Sequence, residues 1–205
     1  MSKHCDLIDL RVKLDNAITY GTQKEALRVA RDSLKVAEKK RFPGEIEYFK
    51  GQIEMLKKSW TSAIERFDAA IKHNPHDGGS YNDRALCMVE LGIIDNAIKY
   101  FDRGIAVEPD YATIYHNKGW LLNNLGQHRE AIEYFNKALK LEPDRAVTYD
   151  NLADAYLNLG ELGQAKNYYA RVLELIKPKT CRIIRAQIKR KIKWISGQLT
   201  TAMMR

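Results

Sequence analysis

One phrase recurs in this chain at a fixed step. Residues 81–92 read YNDRALCMVELG, residues 115–126 read YHNKGWLLNNLG and residues 149–160 read YDNLADAYLNLG, each copy 34 residues after the last. The same step links Pro75, Pro109 and Pro143, and also Ala63, Ala97, Ala131 and Ala165. It links Phe67, Phe101, Phe135 and Tyr169, the glycines Gly92, Gly126 and Gly160, and the small residues Gly51, Ala85, Gly119 and Ala153. A period of this length means stacked supersecondary units, because one such unit cannot bury its own apolar face.

Each unit reads as two helices. In the clearest copy the first runs roughly from Tyr115 to Leu125, with Tyr115, Gly119 and Leu122 at helical spacing. Gly126 ends it, as a residue that tolerates positive φ should. The second runs from about Arg129 to Leu141, with Ala131, Phe135 and Ala138 on one stripe. Glu142-Pro143-Asp144 stops it, because proline has no N–H to donate and crowds the preceding turn. The small row lets two helices approach closely, and the aromatic row is expected to fill the gap toward the next pair.

Composition narrows the class further. Hydrophobic residues make up 45% of the 205, enough for burial to offset ordering entropy. No apolar run approaches the roughly 20 residues of a membrane span. MSKHCDLIDLRVK at the start lacks the apolar core of a secretory signal. Cys5, Cys87 and Cys181 are odd in number and far apart, which suits free thiols in a reducing cytoplasm. Phosphate loops, HExxH, dinucleotide fingerprints and nucleophile elbows are all missing from the sequence, so a non-enzymatic protein without cofactor is expected. His73 and His76 share one turn, but two ligands without a third make a poor metal site.

The pattern resembles the tetratricopeptide repeat family. The matching letters in 112–145 are Tyr115, Gly119, Leu122, Gly126, Ala131, Phe135, Ala138 and Pro143, and units at 78–111 and 146–178 match nearly as well. The unit at 44–77 keeps Gly51, Ala63, Phe67, Ala70 and Pro75 but has Lys58 for the turn glycine. A degenerate unit at 7–43 keeps Gly21 and Ala26, places Leu14 where a small residue is usual and Ala30 where an aromatic is usual, and has a longer second helix ending near Arg41-Phe42-Pro43-Gly44. The resemblance implies an all-α, right-handed superhelical α-solenoid of about five helix-turn-helix units over 1–178, followed by a C-terminal capping helix. It also implies a protein–protein interaction adaptor or scaffold that binds an extended peptide segment in a concave groove lined by the first helices.

On that resemblance the groove residues of three units are Asn82 and Asp83; His116, Asn117, Trp120 and Asn124; and Asp150, Asn151 and Asp154. Asn117 and Asn151 are equivalent, with Asp83 before them and Phe49 closing the row. An amide side chain offers an acceptor and two donors, so such a row can grip a peptide backbone from the side; it looks like the asparagine ladder of peptide-binding members of the family. Ordinary wet helix surface fits the same letters. Trp120 suits an anchor for a ligand side chain, or packing beneath a neighbouring helix. Asp83, Glu90, Asp150 and Asp154 favour a neutral to basic peptide partner. The positions where the family's clamp for acidic chaperone tails needs cations hold Tyr48, Gln52, Asp83, Thr113 and Asn117, or Asn82, Leu86, Asn117, Val147 and Asp150, so that ligand is excluded.

Residues 179–205 leave the repeat. Ile184, Ile188, Ile192, Ile195, Leu199 and Met203 form one apolar stripe of a helix that lies on the last repeat and turns Arg182, Arg185, Lys189 and Lys193 to water. Residues 177–205 hold nine Lys or Arg and no Asp or Glu, against 25 basic and 26 acidic residues before them. Two further roles therefore stand beside the adaptor: binding of this basic helix to nucleic acid or membrane, and self-association into an oligomeric scaffold.

Overall fold

A computed structural model describes residues 5–176 and 182–203. Eleven helices occupy them: α1 (Cys5–Tyr20), α2 (Gln23–Lys40), α3 (Pro43–Leu56), α4 (Trp60–His73), α5 (Gly78–Glu90), α6 (Ile94–Val107), α7 (Ala112–Asn124), α8 (His128–Leu141), α9 (Ala146–Asn158), α10 (Leu162–Leu175) and α11 (Arg182–Met203). They form the antiparallel helix-turn-helix repeats of an all-α solenoid. The helices divide into two compact units, one ending at Pro109 and the other beginning at Asp110.

In the four hairpins from α3 to α10 the turn is made the same way. The residue after the turn donates its N–H back across it, Ser59 to Glu54, Ile93 to Met88, Gln127 to Leu122 and Glu161 to Tyr156, each at 2.9 Å. This closure takes up one of the carbonyls left over at a helix C-terminus. It requires a left-handed residue just before, supplied by Gly92, Gly126 and Gly160 at φ +75 to +80° and by Lys58 at φ 61°.

In unit 1, the small row meets the aromatic row of its own hairpin. A Cβ on Gly51 would stand 2.7 Å from the Phe67 ring. Phe67 fills the hollow over Gly51 and also shares an apolar cluster with Cys87 of the next repeat. Phe135 in unit 2 does both. A Cβ on Gly119 would stand 2.9 Å from it, and it shares an apolar cluster with Leu152 and Ala155 of the next repeat. The first hairpin reverses the sizes: Leu14 takes the small position and Ala30 the aromatic one, both fully buried.

Helix α2 begins at Thr22, whose hydroxyl accepts from the Glu25 N–H at 3.2 Å, and ends at Arg41 in a left-handed conformation. Pro43 then opens α3, where a missing N–H costs nothing. At the other end, α11 buries Ile188 and Ile195 and partly buries Ile192 and Leu199 against Ala153, Ala165, Tyr169 and Val172. Ile184 of the same stripe is 47% exposed; the side chain of Met203 lies outside the described residues. Arg185 does not face water as expected. Its Nη1 donates to the Leu173 and Ile176 carbonyls at 2.6 and 2.8 Å, closing the end of α10.

Candidate functional site

The first helices carry the residues that the sequence singles out. In unit 1 these are Asn82 and Asp83 on α5, and both are enclosed, at 2% and 8% exposure. Asp83 accepts from Gln52 Nε2 on α3 and, at 2.8 Å, from Asn82 Nδ2. Burial, with Asp15 adding to it, pushes the Asp83 carboxyl up to about 7 against the pull of Asn82, Arg11 and Tyr48. A ligand reaching these two side chains has to break an existing polar cluster. Cys87, one turn further along, is buried, and burial pushes its thiol up to about 12, so it is a packed group rather than a nucleophile.

What covers this part of α5 is a cation that the sequence did not announce. Arg11 of α1 lies with its guanidinium 3.7 Å from the centre of the Tyr48 ring. Nε and Nη2 donate to the two Glu45 oxygens at 3.0 and 2.8 Å, and Nη1 and Nη2 donate to the two Asp77 oxygens at 2.8 Å each. The planar fork of arginine suits two carboxylates at once. Gly79 leaves the space, for a Cβ there would come within 3.0 Å of Arg11 Nη1. Burial raises the Asp77 carboxyl, but Arg11 and then Ser80 outweigh it and hold the group below its ordinary value.

In unit 2 the corresponding face is built by α7 and α9. His116 is buried, with Nδ1 2.9 Å from Thr148 Oγ1 and Nε2 3.4 Å from Asn151 Nδ2. Burial, helped by the charge of Arg145, lowers its pKa to about 3, so the imidazole is neutral. The amide nitrogen can only donate, so Nε2 accepts and Nδ1 carries the proton toward Thr148. Arg145 donates from Nη1 to Thr113 Oγ1 at 2.9 Å and to Glu142 at 2.8 Å. Arg145 Nε and Asp150 Oδ1 are buried atoms without a hydrogen-bond partner among the described residues.

Asn117 and Asn151 are both half-buried, one repeat apart, and Asn124 is exposed at the end of α7. Trp120 is also half-buried, packed on one side against the cluster of Leu122, Phe135, Leu152 and Ala155. Asp150 and Asp154 meet a cation from α11: Lys191 Nζ is 2.7 Å from Asp154 Oδ1 and 3.8 Å from Asp150 Oδ1, and 4.8 Å from the centre of the Tyr169 ring. Tyr169 also donates its hydroxyl to Asp154. The acidic lean expected from this pair is therefore offset inside unit 2.

A second feature was present in the sequence but unread. Tyr81, Tyr115 and Tyr149 recur at the repeat step, and so do Tyr100, Tyr134 and Tyr168. The rings pair within each repeat at 6.2, 6.5 and 6.1 Å between centres. Arg84 lies 3.7 Å over Tyr100 while gripping Asp68 at 2.6 and 3.0 Å, and Lys118 lies 4.4 Å over Tyr134 while donating to its hydroxyl at 2.7 Å. These stacks tie first to second helices and leave the opposite side of α5 and α7 for other contacts. His73 and His76 are exposed, and no group of three metal-ligating side chains occurs among the described residues.

Tetratricopeptide repeat profiles match residues 51–106, 112–145 and 146–178. The chain belongs to the tetratricopeptide repeat family. Comparison with curated proteins gives no match. Among solved structures, TTC0263, a thermophilic TPR protein of Thermus thermophilus, is 22% identical with a TM-score of 0.73, over 91% of this chain and 97% of that one. MamA is 23% identical with a TM-score of 0.60, over 79% and 93%. YrrB, described as a TPR protein with an unusual peptide-binding site, is 17% identical with a TM-score of 0.57, over 85% and 88%. At these identities the likeness is one of fold. The tetratricopeptide fold is generally a non-enzymatic interaction scaffold, and the repeats support an adaptor role for this TPR protein. No helix among its described residues is long and apolar enough to cross a membrane.

Proposed function

We propose that this TPR protein is an adaptor that holds an extended peptide on the α7–α9 face of its second unit. Asn117 and Asn151 grip the peptide backbone and Trp120 receives one of its side chains. The observation that carries this reading is the pair of half-buried amides at equivalent positions of consecutive first helices, Asn151 being oriented by the neutral His116. Asn124 and Asp154 border the face, while Asn82 and Asp83 stay in their cluster in unit 1. With Lys191 beside Asp150 and Asp154, a neutral peptide suits the face better than a strongly basic one. The fold likeness to YrrB, a protein with a peptide-binding site, supports the same reading.

Peptides selected from a random display library on the wild-type protein test it. The Asn117→Ala/Asn151→Ala double variant should bind the selected peptides about 10-fold or more weaker, two hydrogen bonds of roughly 1 kcal/mol being lost, while its melting point falls only by what the Asn151–His116 contact contributes. Undiminished affinity in the double variant overturns the proposal.

A further inference from the structure

Helix α11 carries six Lys or Arg and no acidic residue, and two of the six are engaged internally. Arg185 closes the end of α10, and Lys191 meets Asp150 and Asp154. Arg182, Lys189, Arg190 and Lys193 are exposed. The isoleucine stripe faces inward, as the burial of Ile188 and Ile195 requires. On the opposite side, at about 100° per residue, Ile183 and Trp194 fall within about 20° of one another, three turns apart. They are 76% and 55% exposed. Arg190 lies between them, and Arg182, Lys189 and Lys193 run along one flank. The outer surface of α11 is thus a row of cations beside two large apolar side chains held away from the core.

We propose that this outer surface seats α11 on an anionic lipid bilayer, with the helix axis parallel to the membrane plane. The inference stands apart from the peptide reading, which uses α7 and α9. Arg182, Lys189, Arg190 and Lys193 pair with lipid phosphates and carboxylates. Trp194 and Ile183 enter the headgroup layer, the depth at which an indole keeps its N–H hydrated and its ring out of water. A nucleic acid backbone satisfies the cations equally but leaves the isoleucine and the tryptophan in water, so lipid is favoured over polyphosphate. The capping stripe stays on the last repeat throughout, and no insertion of the inner face is required.

The full chain is mixed with vesicles of phosphatidylcholine alone and of phosphatidylcholine with phosphatidylserine. Co-sedimentation is expected only with the anionic vesicles and should weaken as salt is raised. Tryptophan emission should shift to the blue on binding, and Trp194→Phe should abolish the shift while Trp60 and Trp120 remain. Each of Lys189→Gln, Arg190→Gln and Lys193→Gln should weaken the partition about five-fold. These residues point away from the packed stripe, so unchanged melting of the variants confirms that the fold is intact. No sedimentation with anionic vesicles, or sedimentation unaffected by the triple substitution, overturns the proposal. Binding to duplex DNA that Trp194→Ser and Ile183→Ser leave unchanged, with no emission shift on vesicles, overturns it in favour of a polyphosphate partner.

Discussion

The guanidinium of Arg11 sits 3.7 Å above the ring of Tyr48, and two carboxylates, Glu45 and Asp77, grip its edges. One side chain thereby joins α1 to α3 and to the start of α5. Arg11→Ala leaves both carboxylates enclosed without their cation, and unfolding by urea should show a loss of about 3 kcal/mol. Arg11→Lys should recover only a minor part, because an ammonium cannot fork to two carboxylates. Amide hydrogen exchange should place the loosening in α1. A variant as stable as wild type would mean that Leu7 and Leu14 alone hold that helix.

Asp83 and His116 set opposite pH dependences. The Asp83 carboxyl is about 7 in the folded chain against roughly 4 unfolded, so the folded state binds the extra proton and stability falls as pH rises through that window. His116 is about 3 folded against roughly 6.5 unfolded, so the unfolded state binds the extra proton and stability rises with pH there. The two slopes oppose each other where the windows overlap. Urea unfolding at several pH values should show Asp83→Asn gaining stability more steeply than wild type as pH rises from about 4 to 6.5. His116→Gln should show the reverse tilt. Parallel curves for all three proteins would refute the assignment.

Lys58 stands at φ 61° where the turns of the next three hairpins have glycine. A side chain in the left-handed region costs about 1 kcal/mol, partly offset by the greater freedom glycine has when unfolded. Lys58→Gly should therefore stabilise by about 0.5 kcal/mol, and Gly126→Ala should destabilise by about 1 kcal/mol or more. Thermal unfolding of the two variants checks both signs.

Lys191 screens Asp150 and Asp154. Lys191→Ala should change stability little, about 1 kcal/mol, since all three groups are about a third exposed. Its larger effect should be on ligand choice. Peptide selection on the variant should enrich Lys and Arg relative to selection on wild type. Identical selected sequences would place the two carboxylates outside the contact.

The repeat made most of the architecture legible. Gly51 with Phe67 and Gly119 with Phe135 are size relationships, and size is what a period in the letters records. The Leu14–Ala30 exchange was legible as two departures, and its sense, that one compensates the other, follows only once both are seen to be buried. Charge contacts were not legible in that way. Arg11 pairs with residues 34 and 66 positions away, and no other unit repeats the trio, so nothing periodic marks it. Lys191 lies outside the repeat and meets α9 from 37 residues beyond Asp154. The face read as acidic therefore carries its own counter-charge. The tyrosine rows show the reverse case: their step was in the sequence, but the cations that lie over them vary from copy to copy.

The exchange of Leu14 for Ala30 makes the first hairpin a one-way part. Its bulk lies on the helix where every other hairpin is thin, so shuffling modules at the turns would bring leucine against phenylalanine in one chimera and alanine against glycine in the other. The opening pair therefore has to travel whole.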